Sequence, residues 1–251
     1  MKTPNNIRPD HFKTSMPLYI QIAESLLERI ISGELAPDER LPSERELSKS
    51  LNVSRMTLRA ALRELDNKGL LVRRQGDGTY ISKPKIERQA AKLVPFTEGM
   101  RNQGYQTGAK IIALEQRLAE LAVAGQLKIA VSTPIYYIQR LRFINREPVM
   151  LEKFSVPVYR FPNLDSQDLE THSFYKIAES EYGITIYQAQ QSLESVSATE
   201  FEAELLEVEP GSPLMLERRV AFDPEHRPVE YGQDLYRGDR FRFITEIASL
   251  E

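Results

Sequence analysis

Apolar positions in the first third of the chain recur every three or four residues, which is the spacing of one face of an α-helix. Two stretches show this spacing, with the sets Ile22, Leu26, Leu27, Ile30 and Leu58, Ala61, Leu62, Leu65. Pro17 opens the first stretch and Gly33 stops it. Between the stretches, Ser43 and Glu46 have the spacing of a capping box, and Ser54 is a natural N-cap. The pattern predicts three helices, the last two joined by a tight turn.

A basic hairpin is predicted directly after the third helix. Residues 70–75 read LLVRRQ and residues 79–81 read TYI, with the glycine-rich turn 76–78 between them. Two helices joined by a tight turn and followed by such a hairpin are typical of a winged helix-turn-helix, whose second helix reads the major groove of DNA. On that helix Arg55 and Arg59 are i,i+4 neighbours. The alternative is a helical hairpin with solvated arginines.

The charge of the chain is divided unevenly, although its net value is only −3. Residues 1–90 hold 16 Lys and Arg against 12 Asp and Glu, a net of +4. Residues 91–251 hold 17 against 24, a net of −7. A basic module on an acidic body predicts that a polyanion binds at the N-terminal end alone.

The apolar pattern lapses at residues 83–92, KPKIERQAAK, which we interpret as a partly helical linker between domains. The polar residues 1–15 are expected to be a flexible arm. These features divide the chain into the arm, a DNA-binding domain at 16–82, the linker, and a second domain at 93–251.

In the second domain, alternation and turn signals predict strands at 109–114, 134–144, 149–156, 184–197, 213–222, 229–236 and 241–247. Helices are predicted at 96–104, 117–125, 173–182 and 199–206, so the fold class is α+β.

Three segments of the first domain carry a resemblance to a known family. LPSERELS (41–48), VSRMTLRAAL (53–62) and GLLVRRQGDGTYI (69–81) closely resemble the winged helix-turn-helix of the GntR family of bacterial transcription regulators. The resemblance implies that double-stranded DNA is a partner. It also implies the residues that contact DNA, which are Arg45, Ser54, Arg55, Thr57, Arg59, Gly76, Gly78 and Thr79.

The second domain resembles the UTRA effector domain of the HutC-type branch of that family, whose fold is similar to chorismate lyase. The segments that carry the resemblance are VPFTEGMRNQG (94–104), IYYIQRLRFINREPVMLEK (135–153), HSFYKIAESEYG (172–183) and PVEYGQDLYRGDRFRF (228–243). The resemblance implies a small-molecule effector. The residues expected to bind it are Phe96, Thr97, Arg140, Arg142, Glu152, Ser173, Tyr175, Glu230 and Tyr236.

Arg140 and Arg142 stand two apart on a predicted strand, so both side chains emerge on one face. Two adjacent guanidiniums form a planar clamp for phosphate or carboxylate, and their mutual repulsion indicates an anion nearby. We therefore expect an anionic effector, best explained as a phosphorylated sugar or amino sugar. The alternative is a structural network in which Glu147, Glu152 or Glu230 neutralises the pair.

Composition excludes several kinds of site. The chain has no cysteine and only three histidines, which stand far apart, so a thiolate or histidine-based metal site and a histidine-based catalytic cluster are not expected. We expect no cofactor and no enzymatic activity. No run of 18 apolar residues and no signal peptide is visible, so we expect a cytoplasmic protein that does not bind membranes.

These observations predict a homodimeric repressor that binds an inverted-repeat operator and is controlled by a small anionic metabolite. Two other hypotheses concern the effector domain. Members of the HutC-type branch also sense fatty acids and imidazole acids, so a carboxylate is an alternative effector. A lyase-like enzyme fused to a DNA-binding module is the alternative from a different functional class, with Arg140 and Glu152 as its candidate residues.

Overall fold

The computed structural model describes residues 16–74 and 76–247, which pack as two units that meet along the chain between Lys85 and Ile86. The predicted N-terminal arm, residues 1–15, lies outside the described residues. Each unit has hydrophobic clusters of its own. Among the described helices, none is both long and apolar enough to cross a membrane.

The N-terminal unit is built on three helices, α1 (Leu18–Ile31), α2 (Glu44–Ser50) and α3 (Arg55–Asn67). Their apolar faces meet in one core, as the helical spacing predicts. All four apolar residues predicted on α3 are buried, and so are Ile22 and Leu26 of α1. Leu27 and Ile30 are partly buried against the same core.

Side-chain caps define where α2 and α3 begin. Ser43 Oγ accepts a hydrogen bond from the amide of Glu46 at 3.3 Å, and Glu46 Oε2 accepts one from the amide of Ser43 at 3.0 Å. Ser54 Oγ accepts a hydrogen bond from the amide of Thr57 at 3.1 Å. The predicted capping box and N-cap are confirmed, and each satisfies backbone donors that the first turn of a helix leaves free.

A two-stranded wing follows α3. Strands β1 (Leu71–Arg74) and β2 (Gly78–Ile81) are antiparallel, as predicted. Gly78 has φ +138°, and a Cβ at this position would lie 2.9 Å from Nε of Arg40. The backbone conformation therefore favours glycine at Gly78, and a Cβ would also displace the end of the Arg40 side chain.

The C-terminal unit is built on a six-stranded antiparallel sheet with the order β4-β5-β6-β9-β8-β7. Its strands are β4 (Thr107–Leu118), β5 (Pro134–Ile144), β6 (Glu147–Pro157), β7 (Gln188–Ser197), β8 (Pro213–Phe222) and β9 (Pro228–Arg237). The β5–β6 hairpin turns through Asn145 and Arg146, whose φ angles are +50° and +71°. Positive φ at both central residues is the conformation of a tight two-residue hairpin turn.

Both faces of this sheet are covered. Helices α4 (Phe96–Arg101) and α6 (Phe174–Tyr182) pack on the first face, whereas α5 (Leu121–Leu127) and α7 (Glu200–Leu206) pack on the second. Because β5 alternates, it presents Tyr136, Ile138, Arg140 and Arg142 to the first face, where all four are buried. Two arginines thus lie inside the unit.

Three predictions about segments of this unit were wrong or incomplete. Arg117 and Leu118 belong to β4, where they pair with Ile135 and Pro134, so the helix predicted at 117–125 begins only at Leu121. The segment predicted as a partly helical linker contains a strand, β3 (Ile86–Gln89), which pairs in parallel with β10 (Phe241–Ile244). The pairing partner is distant in sequence, so local polarity gave no sign of this strand. The last strand, predicted at 241–247, ends at Ile244 and lies outside the main sheet.

The buried face of α3 yields a stability prediction. Leu58 is fully buried, whereas Met56 on the same helix is 74% exposed. Leu58→Ala is expected to destabilise the N-terminal unit by about 2–5 kcal/mol, because it removes buried methyl groups and leaves a cavity. Met56→Ala should change stability by less than about 0.5 kcal/mol. Hydrogen exchange of the α1 and α3 amides in the full chain measures both, and similar effects of the two substitutions would contradict the packing described.

Candidate functional site

The first turns of α3 carry the predicted DNA-binding residues on an accessible surface. Arg55 is exposed at the first position of the helix, directly after the Ser54 cap. Thr57 shares a hydrogen bond between hydroxyls with Ser54 at 2.8 Å. Arg59 is exposed, and its Nε lies 2.6 Å from Oε2 of Glu44 on α2. DNA phosphate would therefore compete with a surface ion pair for Arg59, a small cost because such pairs contribute little stability.

Other residues of the N-terminal unit extend this surface. Arg45 is exposed on α2, and Gly76 and Gly78 are exposed in the wing next to the half-buried Thr79. The sequence interpretation did not include Met56, which lies between two of the predicted contacts and exposes 74% of its surface. An exposed large apolar residue at the start of α3 was visible in the sequence as a break in the apolar repeat. Its thioether is suited to apolar contact with a base edge.

A cavity of about 490 Å³ opens on the first face of the sheet in the C-terminal unit. It lies over the middle strands and is bordered by α4, α6 and β3. The residues predicted to bind effector all line it: Phe96, Thr97, Arg140, Arg142, Glu152, Ser173, Tyr175, Glu230 and Tyr236. The volume is within the usual range for small-molecule sites.

An ion triad of Arg140, Glu152 and Arg142 forms one end of the cavity. Arg140 and Glu152 are directly opposite each other on β5 and β6. Nε and Nη2 of Arg140 lie 2.8 and 2.7 Å from Oε2 of Glu152, and Nη1 of Arg142 lies 3.3 Å from the same oxygen. Burial raises the pKa of Glu152, but the guanidiniums of Arg140 and Arg142 outweigh burial and hold this pKa below its ordinary value. Glu152 thus pairs with both arginines, as the structural-network alternative expected of one of the three acids it named.

The two arginines differ in how completely their donors are used. Nη1 of Arg140 also donates to the carbonyl oxygens of Leu169, at 2.6 Å, and His172, at 3.3 Å. Its guanidinium lies 5.2 Å from the centre of the Phe154 ring. Arg140 is therefore anchored to the sheet and to the loop before α6. Of the three acids that the network alternative named, Glu152 is the one that pairs with Arg140.

Arg142 has donor capacity left. Its Nη2 donates to Oγ1 of Thr97 at 2.6 Å, and its guanidinium lies 4.8 Å from the centre of the Phe96 ring. Its buried Nε makes no hydrogen bond with any described residue. Burial lowers the pKa of Arg142, the Glu152 charge raises it, and Arg140 lowers it further. An anion beside Arg142 would use a donor that the fold leaves free.

Polar groups from α6 and β9 complete the predicted set. Ser173 caps α6 by accepting from the amide of Lys176 at 3.3 Å, and its hydroxyl donates to Glu98 at 3.1 Å. The hydroxyl of Tyr175 donates to Glu230 at 2.9 Å. The Tyr236 ring is fully buried, and its hydroxyl has no hydrogen-bond partner among the described residues. Unpaired buried groups cost free energy, so a group that reached this hydroxyl would gain a hydrogen bond that the fold does not supply.

Five charged residues of the cavity were missed by the sequence interpretation: Arg88, Lys92, Glu217, Arg219 and Asp234. Glu217 and Arg219 stand two apart on β8, the same spacing that identified the pair on β5. That signal was visible and was not used. Arg88 could not be predicted as a cavity residue from sequence, because its segment has no strand pattern. This segment is a strand that pairs with β10, which is distant in sequence. The cavity wall includes residues 88–92 of the predicted linker.

Asp234 is a buried acid whose pKa is strongly raised. Burial raises its pKa to about 7; the guanidinium of Arg219 opposes this rise, and the carboxylates of Glu152, Glu217 and Glu230 add to it. At neutral pH this carboxyl is therefore partly protonated. Among the described residues, no group of His, Asp or Glu side chains is arranged to hold a metal ion.

The pKa of Asp234 predicts how stability depends on pH. Folding raises this pKa from 3.8 to about 7, so the folded chain binds this proton more tightly than the unfolded chain does. The stabilisation that results is fully present below about pH 3.8 and is lost as the pH rises through about 7. Between about pH 5 and about pH 7, the unfolding free energy of the native chain should fall relative to Asp234→Asn by up to about 1.4 kcal/mol per pH unit. Urea unfolding measures this difference, with exposed Glu209→Gln as the control. Parallel pH profiles for the native chain and Asp234→Asn would contradict the assignment.

Comparison with known proteins places both units in described families. Residues 18–81 match the family described as bacterial regulatory proteins, gntR family, and residues 102–242 match the UTRA domain. The chain is 36% identical over 232 residues to the HTH-type transcriptional repressor NagR of Bacillus subtilis, which covers 92% of this chain and 95% of NagR.

Two further similarities agree with this match. The probable fructoselysine utilization operon transcriptional repressor of Escherichia coli is 28% identical over 91% of this chain and 94% of its own length. The crystal structure of PhnF from Mycobacterium smegmatis superposes with a TM-score of 0.65 at 30% identity, covering 91% of this chain and all of that one. This chain therefore belongs to the HutC-type branch of the GntR family, in which a winged helix-turn-helix is joined to a UTRA domain, and it is a DNA-binding regulator of transcription.

Proposed function

We propose that this regulator is a homodimeric repressor whose binding to an inverted-repeat operator is controlled by a phosphorylated sugar or amino sugar. The observation that carries the effector part is the cavity of about 490 Å³ that gathers all the predicted effector residues on one face of the sheet. We propose that the effector binds in this cavity. A coupling free energy of about 1–3 kcal/mol between effector and operator is typical of such regulators.

The N-terminal unit supports operator binding through α3. Arg55 and Arg59 project from its first turns, where a recognition helix meets base edges. Arg pairs bidentately with guanine, and the exposed Arg55 makes no ion pair with any described residue. In a two-fold dimer, one α3 from each protomer would read one half-site, which makes the operator an inverted repeat.

The chemistry of the cavity supports a phosphorylated effector. The unused Nε of Arg142 and the unpaired hydroxyl of Tyr236 are suited to phosphate or sugar oxygens. The relative named for fructoselysine utilization supports a sugar-derived effector. A purely carboxylate effector would bring no donor for Oε2 of Glu217, a buried oxygen that accepts no hydrogen bond from any described residue.

Binding without turnover is the role that the cavity favours. The lyase alternative needs Glu152 or Arg140 to exchange a proton. Glu152 is held ionised by two guanidiniums, and the donors of Arg140 are committed to Glu152 and to two backbone carbonyls. A carboxylate with a lowered pKa is a weak general base. We therefore propose that the cavity senses a metabolite and does not convert it.

Operator recognition can be tested at Arg55. Operators selected from a random-sequence DNA library with the full chain should contain two inverted half-sites whose centres lie about one helical turn apart. Arg55→Ala should reduce the binding free energy for such an operator by about 1–3 kcal/mol while effector binding is unchanged. Arg29→Ala, which removes the same charge from α1, serves as the matched control. Equal losses for both variants would show that only net charge matters.

Effector binding can be tested at Arg142. Melting curves of the full chain with phosphorylated sugars, amino-sugar phosphates and carboxylates should show a rise for a phosphorylated compound, because a ligand at 100 times its dissociation constant adds about 2.7 kcal/mol of stability. Arg142→Gln, which keeps a donor for Thr97, should weaken this ligand by at least about tenfold, or about 1.4 kcal/mol. The exposed Arg101→Gln on α4 is the control. A response to carboxylates alone would overturn the proposed effector class.

A further inference from the structure

The cavity has a second charged end, formed by β8, β9 and β3. Glu217 on β8 and Asp234 on β9 are directly opposite each other in the register of the sheet, and both are 2% exposed. Like charges that face each other across two strands destabilise the pair unless a cation lies between them. Arg219 supplies part of that cation, with its Nη1 3.1 Å from Glu217 and 3.0 Å from Asp234.

Arg219 does not balance the acids around it. Its Nη2 is committed to Glu230 at 2.9 Å, so one guanidinium serves three carboxylates. Arg88 adds a second positive charge, but its Nε lies 3.7 Å from Oε2 of Glu217, which is too far for a hydrogen bond. When Asp234 is ionised, two guanidiniums against three carboxylates leave this end with a formal charge of −1.

The opposite end of the cavity has the opposite sign. There Arg140 and Arg142 face Glu152 alone, which leaves a formal charge of +1. Both ends line the same cavity, so its electrostatic field runs from a cationic end to an anionic end. A simple anion would satisfy only one of them.

An unpaired acceptor marks the anionic end as a binding position. Glu217 Oε2 is buried and accepts no hydrogen bond from any described residue. The hydroxyl of Tyr236, also unpaired, lies on the strand next to it. A buried carboxylate oxygen without a donor is costly, so a protein that keeps one is expected to pair it in another state.

We propose that Glu217 and Asp234 receive a protonated amino group of the effector, so that the effector carries an anionic group at one end and an ammonium at the other. This inference rests on the proposed function, because it concerns the same effector in the same cavity. Asp234, whose pKa lies near neutrality, becomes fully ionised beside the ammonium. The ammonium donates to Glu217 Oε2 and cancels the excess negative charge.

The dimensions of the sheet agree with such a ligand. Strands β5 and β8 are three steps apart in the sheet, and at about 4.8 Å per step their backbones are separated by roughly 14 Å. Side chains extend inward from both strands and shorten the gap. The distance left between the side chains can be spanned by a phosphorylated hexose that bears an amine away from the phosphate and makes one polar contact at each end.

The same subsite also connects the effector to the segment that follows the DNA-binding unit. Arg88 holds the position beside Glu217 loosely, with its guanidinium 5.4 Å from the centre of the Tyr236 ring. An ammonium at Glu217 would lie beside Arg88 as a second counter-ion. Arg88 belongs to β3, the first strand after Lys85, so the subsite borders the segment that follows the DNA-binding unit.

The test compares ligands that differ in the amine alone. Titration calorimetry with the full chain at neutral pH measures the dissociation constants of two ligand pairs. The first pair is glucosamine 6-phosphate and glucose 6-phosphate, and the second is 1-amino-1-deoxyfructose 6-phosphate and fructose 6-phosphate. The amine should tighten binding at least tenfold in one of the two pairs. N-acetylglucosamine 6-phosphate, in which the amine is uncharged, should bind no better than glucose 6-phosphate.

Variants of the full chain assign any preference to the subsite. Glu217→Gln keeps the shape and removes the charge, so it should reduce the preference for the amine, measured as the ratio of the two affinities within a pair, to less than about twofold. Glu209→Gln, an exposed glutamate outside the cavity, should keep the preference. Asp234→Asn provides a second variant. If neither variant folds, the affinities of the two ligand pairs for the native chain still show whether the amine strengthens binding.

Each outcome has a distinct meaning. Equal affinities within both pairs for the native chain would overturn the amine subsite and leave the phosphorylated effector intact. A preference for the amine that persists in both folded variants would also overturn it, because the ammonium then lies elsewhere. Failure of every phosphorylated ligand to bind would overturn the proposed effector class, and the amine subsite with it.

Discussion

The ion triad of Arg140, Glu152 and Arg142 is the interaction on which the C-terminal unit depends. Its bonds tie β5 to β6, reach α4 through Thr97, and reach the loop before α6 through backbone carbonyls. Loss of one partner from a buried ion pair leaves an uncompensated charge, which typically costs about 3–5 kcal/mol. The triad therefore holds the sheet, one helix and one loop around the cavity, and it makes one wall of the cavity rigid.

The burial of both sheet faces explains why charge is concentrated inside this unit. Helices cover the sheet on each side, so polar side chains on the central strands must find partners within the protein. The sheet meets this requirement by placing acids and arginines opposite one another on neighbouring strands. Pairing is nearly complete, and several of the buried atoms left unpaired among the described residues belong to the cavity lining, on Arg142, Glu217, Arg219 and Tyr236. A preorganised network with a few open positions suits a site that must recognise a ligand.

Prediction from sequence was most successful where local chemistry decides the structure. The capping box at Ser43 and the N-cap at Ser54 both form, because each needs only residues three positions away. The residues that the family resemblance assigns to the effector all line one cavity. Sequence alone left open which acid, if any, pairs with Arg140 and Arg142, because the register that places Glu152 opposite Arg140 is not written in either strand alone.

The sequence by itself determined the winged helix-turn-helix, its basic surface and the strands and helices of the second unit, since apolar periodicity, caps and turns act over a few residues. Only the tertiary structure decided which charges meet. The pairing of β3 with β10 carries Arg88 to Glu217, and the order of four strands sets a cationic end against an anionic one. Both depend on contacts between residues far apart in the chain, and such contacts arise from the register and order of strands once they pack.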